Sequence, residues 1–143
     1  MKTVRDILKQ KGNTVWSVSP DTTVYDTLKV LAEKDIGAVL VLDERGHPVG
    51  IFSERDYARQ VVLKGKTSKD TAVREIMTTR LVFVRPDQDV EECMALMTDK
   101  RIRHLPVMEE GKLVGIISIG DVVKAVISEK EFLIEQLENY ITS

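Results

Sequence analysis

Two stretches of this chain end in the same pairing of a hydroxyl with a carboxylate: Val49-Gly50-Ile51-Phe52-Ser53-Glu54-Arg55-Asp56 and Val114-Gly115-Ile116-Ile117-Ser118-Ile119-Gly120-Asp121. Asp56 and Asp121 lie 65 positions apart, and each follows its serine by three residues. Ser accepts well from an early helix N–H, and an acidic residue three places on reaches back to the N–H of the cap. One reading of each stretch is therefore a strand running into a capped helix. The other is chemical: a hydroxyl, a carboxylate and backbone N–H groups gathered at one helix start suit a ribose with a phosphate beyond it. The two readings are compatible.

Other chemistry is poorly supplied. Cys93 is the only cysteine, and with His47 and His104 as the only histidines there are too few soft ligands for a structural zinc site and no partner for a disulfide. Gly65-Lys66-Thr67 imitates the end of a phosphate loop, but the glycine needed at position 60 is Gln60. No set of nucleophile, base and acid emerges, so an enzyme is not expected. A net charge of −2 offers no general attraction to nucleic acid or to an anionic membrane. No apolar run is long enough to cross a bilayer and no signal core follows Met1, which together with the single thiol leads to a cytoplasmic expectation.

The elements that must hold the two turns repeat with them. A chain of 143 residues with 43% hydrophobic and 31% charged residues can bury one core or two small coupled ones. Thr3 to Lys11 reads as an opening helix stopped by Gly12, with Val73 to Met77 as its counterpart. A helix starting near Thr22 or Thr23 places Val24, Leu28, Leu31 and Ala32 inward, and Val90, Cys93, Met94 and Met97 form the matching helix after Pro86. Ala38 to Leu42 is a short buried strand paired through a hairpin with Pro48 to Phe52, and Leu105 to Met108 begins the second such hairpin. Val15 to Val18 and Leu81 to Val84 are brief extended segments. The chain is thus an α/β (α+β) protein built as β-α-β-β-α used twice, over residues 1–66 and 67–128, with the halves packed sheet to sheet about a pseudo-twofold axis. Residues 129–143 add an amphipathic helix in which Phe132, Leu133, Gln136, Leu137, Tyr140 and Ile141 recur at helical spacing. That helix packs either on its own subunit or on a second one.

The duplicated order, the strands Ala38 to Leu42 and His104 to Val107, and the two Gly-x-x-Ser-x-x-Asp endings resemble a tandem pair of cystathionine β-synthase (CBS) domains, the Bateman module. The resemblance covers about nine-tenths of the chain. It implies a regulatory adenine-nucleotide-binding protein that takes AMP, ADP, ATP or NAD in clefts between its repeats, carries no catalytic cofactor and forms a homodimer. Carried over residue by residue, the first cleft uses Ile51, Ser53 and Asp56 with Thr78, Leu81 and Val82, and with Arg103 and His104 toward phosphate. The second uses Ile116, Ser118 and Asp121 with Val15, Trp16, Gly37 and Ala38. A carboxylate can accept from both ribose hydroxyls, aliphatic walls can sandwich adenine, and a guanidinium can fork onto phosphate. The second cleft lacks the Arg and His, and in it Gly12 stands for Thr78, so unequal occupancy is expected. Trp16 is either core or adenine wall; Lys100 and Arg101 are read only as a basic helix end. The alternative function is a protein that docks an unknown partner through its C-terminal helix, with nucleotide incidental.

Overall fold

The computed structural model describes residues 1–142, so Ser143, the end of the expected C-terminal segment, lies outside the described residues. The elements run α1 (Val4–Lys11), β1 (Ser17–Val18), α2 (Val24–Lys34), β2 (Ala38–Leu42), β3 (Pro48–Ser53), α3 (Glu54–Asp56), α4 (Val90–Lys100), β4 (His104–Glu109), β5 (Lys112–Ser118) and α5 (Ile119–Thr142). After α3 the chain continues in wide turns over Tyr57–Val62, and a single tight turn covers Val73–Glu75. The duplicated order read from the sequence is therefore present.

The chain divides into two compact units that do not coincide with the sequence halves. One comprises Val15–Leu81; the other joins Met1–Thr14 to the chain from Val82 onward. The reason lies in the free N–H groups of each opening turn, which need acceptors. Val4 and Arg5 donate to the carbonyls of Gln88 and Pro86, each at 2.9 Å, and Val90 donates to Lys2 O at 3.0 Å. Val73 and Arg74 donate in the same way to Thr22 at 2.8 Å and Pro20 at 3.1 Å, and Val24 donates to Thr71 O at 2.8 Å. Each opening turn is thus tied to the turn before a long helix, and α1 belongs to the second repeat.

In the Val15–Leu81 unit, β1 runs parallel to β2, with Ser17 opposite Leu40, and β2 pairs antiparallel with β3. The core is Val24, Leu31, Val39, Val41, Phe52, Val61, Val73 and Ile76. Thr23 caps α2 through its hydroxyl at 3.1 Å from Asp26 N, and Asp35 at φ 52° ends it. Ala32, expected inward, is exposed; buried Thr27 takes the inward place and satisfies its hydroxyl on Thr23 O at 2.8 Å.

In the other unit β4 and β5 form the antiparallel hairpin, and Val84 bridges Val107 in parallel where the first repeat has β1. Val4, Ile7, Val84, Val90, Cys93, Met97, Leu105, Val107, Ile117, Val122 and Ala125 form its core. Burial, with Asp89 and Glu92 nearby, pushes the Cys93 thiol up to about 11, which keeps it a protonated core group. Arg101, at φ 56°, terminates α4. The expected break at Ser128 does not occur: α5 is one helix of 24 residues from Ile119. Lys130 pairs with Glu91 at 3.1 Å, and beyond it Phe132, Leu133, Ile134, Leu137, Tyr140 and Ile141 are 52–81% exposed. The stripe is therefore largely exposed on its own chain.

Candidate functional site

Each Ser-x-x-Asp turn is built by a hairpin strand that stops where a helix begins. Ser53 is extended (φ −128°, ψ 167°), its N–H donates to Asp56 Oδ2 at 2.9 Å, and Asp56 N donates to Ser53 Oγ at 3.3 Å. Ser118 N donates to Asp121 Oδ2 at 2.8 Å and Asp121 N to Ser118 Oγ at 3.1 Å. Both are reciprocal capping boxes, and each fixes one carboxylate oxygen inward on its own cap.

The start of the preceding strand is stitched to each turn. Glu54 N donates to Gly37 O at 3.2 Å, and Ile119 N donates to Arg103 O at 2.8 Å. Ala38 is in register with Ser53, and His104 with Ser118. Within one unit, then, the structure gathers Gly37, Ala38, Ile51, Ser53, Asp56 and Thr78. Within the other it gathers Arg103, His104, Ile116, Ser118 and Asp121. Arg103 is exposed and His104 half-buried. Leu81 closes the first unit and half-buried Val82 opens the second part of the other. Val15 is half-buried, and Trp16 is not core: 43% exposed, its ring carries the Lys34 ammonium 4.1 Å from the centroid.

The two carboxylates differ in their partner beyond the cap. Thr78 bridges the free edge of β3, with Ile51 N to Thr78 O and Thr78 N to Ile51 O both at 2.9 Å, and its hydroxyl donates to Asp56 Oδ1 at 3.2 Å. At Asp121 the partner is Lys11. Its ammonium donates to Ile116 O at 3.1 Å and to Asp121 Oδ2 at 2.6 Å. Ile116 corresponds to Ile51 in the repeat, so one Lys11 ammonium meets the carbonyl that the Thr78 N–H meets in the other unit, and meets the matching carboxylate on its cap oxygen Oδ2 where Thr78 meets Oδ1.

This corrects the assignment of Gly12 to the Thr78 position. A Cβ on Gly50 would lie 2.4 Å from Met77 Sδ, and one on Gly115 would lie 2.7 Å from Leu8 Cδ2, so Leu8 and Met77 are the true counterparts. Ten positions separate Leu8 from Val18 but only seven separate Met77 from Val84, and the extra turn carries Lys11. Sequence reasoning missed Lys11; counting residues between these apolar markers would have found the inserted turn.

Burial alone pushes the Asp121 carboxyl up, but the hydrogen bonds from Lys11 and Ser118 and the Lys11 charge bring it below the ordinary carboxylate range. Lys11 and Asp121 also border an open groove of ≈ 260 Å³ between α1 and α5, where Lys2, Asp6, Lys124 and Ser128 are further walls. Among the described residues no cluster of His, Cys, Asp and Glu could hold a metal ion, and no helix is long and apolar enough to cross a membrane.

The CBS domain family model matches residues 4–63 and again 73–128. The mitochondrial CBS domain-containing protein CBSX3 of Arabidopsis thaliana is 40% identical over 148 residues, spanning 97% of this chain and 71% of that protein. A solved structure of a protein with CBS domains from Burkholderia ambifaria superimposes with a TM-score of 0.85 at 53% identity, covering 89% of this chain and 95% of that one. The hexameric CBS-CP12 protein from bloom-forming cyanobacteria gives a TM-score of 0.77 at 31% identity, covering 86% of this chain and 70% of that one.

Proposed function

Because the chain belongs to the CBS-domain family, we propose that it is a non-catalytic regulatory module that binds an adenine nucleotide, AMP, ADP, ATP or NAD, through the ribose-accepting carboxylates Asp56 and Asp121. The observation that carries this reading is the pair of capping boxes. In each, one oxygen is held on the serine N–H, which fixes the carboxylate at the helix start. A carboxylate fixed in this way can accept from the 2′ and 3′ hydroxyls without losing rotamer freedom on binding. Ile51 and Ile116, each two residues before its serine, supply apolar surface for the base, as do Leu81, Val82, Val15 and Trp16. Arg103 supplies the charge for phosphate. Its backbone is anchored by the 2.8 Å bond from Ile119, which leaves the guanidinium to reach outward from a fixed point.

We place the module in a reducing compartment, the cytoplasm, and assign it a homodimeric assembly; the CBSX3 relative is named as mitochondrial and the CBS-CP12 relative as hexameric. The test is a thermal-shift and calorimetry panel of AMP, ADP, ATP, NAD and adenosine, since a ligand of the native state must raise Tm by linkage. No shift with any of the five overturns the reading.

One observation favours a second reading. The distal half of α5 exposes an apolar stripe that includes Leu133, Ile134 and Leu137, which suits docking a partner protein with nucleotide incidental. That reading requires Leu133→Glu to abolish partner capture while AMP binding is absent from the wild type.

A further inference from the structure

We propose that Lys11 is a built-in competitor at Asp121: seated on Oδ2, the oxygen that the cap also holds, its ammonium neutralises the carboxylate, so nucleotide binds there at full strength only when Lys11 leaves. The inference rests on the nucleotide-binding reading and adds to it a control of one of its two carboxylates.

The geometry is a substitution of one donor set by another. At Asp56 the outer contact is a neutral hydroxyl at 3.2 Å, from an exposed Thr78 whose backbone is already satisfied by Ile51. A hydroxyl can rotate and become an acceptor for an incoming group. At Asp121 the further contact is a cation 2.6 Å from Oδ2, the oxygen that also accepts from Ser118 N, and it donates simultaneously to the Ile116 carbonyl. An ammonium has three donors and no acceptor, so it cannot yield to a diol by rotating. It also neutralises the charge that makes the carboxylate a strong acceptor. The pair is partly sheltered, with side-chain exposures of 36% for Lys11 and 20% for Asp121, so water screens it less than the open pairs elsewhere in the chain. The means of release is in place. Lys11 ends α1, its stem is flexible, and the groove beside it is lined by Lys2, Asp6 and Lys124. Among the described residues no corresponding cation meets Asp56, because the inserted turn that brings Lys11 occurs in one repeat only.

The experiment uses the full chain in an Asp56→Ala background, which leaves Asp121 as the remaining ribose acceptor, and titrates AMP and adenosine calorimetrically. Lys11→Met should tighten both ligands by about tenfold or more, the value of one hydrogen bond to a charged group. Adding Asp121→Ala should abolish the gain, and Lys11→Arg, which keeps the cation, should show none. Unfolding curves confirm that each variant is folded, and Lys11→Gln serves if the methionine variant is not. Unchanged affinity on Lys11→Met overturns the competitor, as does a loss for AMP but not adenosine, which would make Lys11 a phosphate partner. If wild type binds AMP and Asp56→Ala weakens it while Lys11→Met is neutral, only this inference falls; if neither wild type nor any variant binds AMP, the nucleotide reading falls with it.

Discussion

Replacing Asp56 by Ala removes the acceptor for two charge-assisted hydrogen bonds from a ribose, each worth about 1.5–3 kcal/mol at most. AMP affinity should therefore drop by tenfold or more in calorimetry, and Asp56→Asn should cost less because it keeps one oxygen. If Asp56→Ala lowers Tm but leaves AMP affinity intact, Asp56 is a helix cap and nothing else. Asp121 makes a prediction in pH. Its carboxyl is held below the ordinary value of 3.8 in the fold, so its contribution to stability is complete above that value and is lost as pH falls through the lower folded one. Lys11→Met removes a cause of the lowering and leaves burial, which acts in the opposite direction. Denaturant melts across acid pH should then show a smaller loss of stability on acidification in the variant than in wild type; coincident profiles would mean that the ion pair contributes nothing. Arg103→Ala should weaken AMP far more than adenosine, with Arg103→Lys recovering part of the loss, and added salt should weaken AMP binding to wild type but hardly to the alanine variant. Equal losses for the two ligands would assign Arg103 to the fold or the adenine wall.

Among the elements, the strands and their turns were readable because their signals are local. Ala38 to Leu42 is an unbroken apolar run between turn residues, and the two Ser-x-x-Asp boxes name their own hydrogen bonds. What the sequence hid was length and continuity. The inserted turn at the end of α1 is invisible to an alignment anchored on Pro20 and Pro86, yet it decides which side chain meets Asp121. The join at Ser128 reads as the end of a repeat, but nothing in Ile127-Ser128-Glu129-Lys130 stops a helix, and α5 runs through it. Cutting the chain after Ser128 should thus leave AMP affinity within about twofold, since no proposed ligand contact lies beyond that point and helix ends tolerate truncation where they are exposed. A folded truncate, verified by circular dichroism, that no longer binds AMP would show that the tail completes the site.

At the scale of the molecule, the repeat was legible from its fixed offset, and the exchange of opening turns was not. Hydrophobic periodicity says that Val4 and Ile7 are buried but not against which half; that choice is made by backbone donors at Val4 and Arg5 finding Gln88 and Pro86. The consequence is that each unit carries one carboxylate turn with a further partner from the opening segment it has captured, Thr78 on Oδ1 of Asp56 and Lys11 on Oδ2 of Asp121. The function proposed here stands on those two turns being ribose acceptors as well as caps. Calorimetric titration of AMP into wild type and into the Asp56→Ala/Asp121→Ala double variant tests this most directly. If the two carboxylates accept the ribose, wild type binds AMP saturably and a double variant that remains folded does not; AMP binding of equal affinity in both proteins would contradict this.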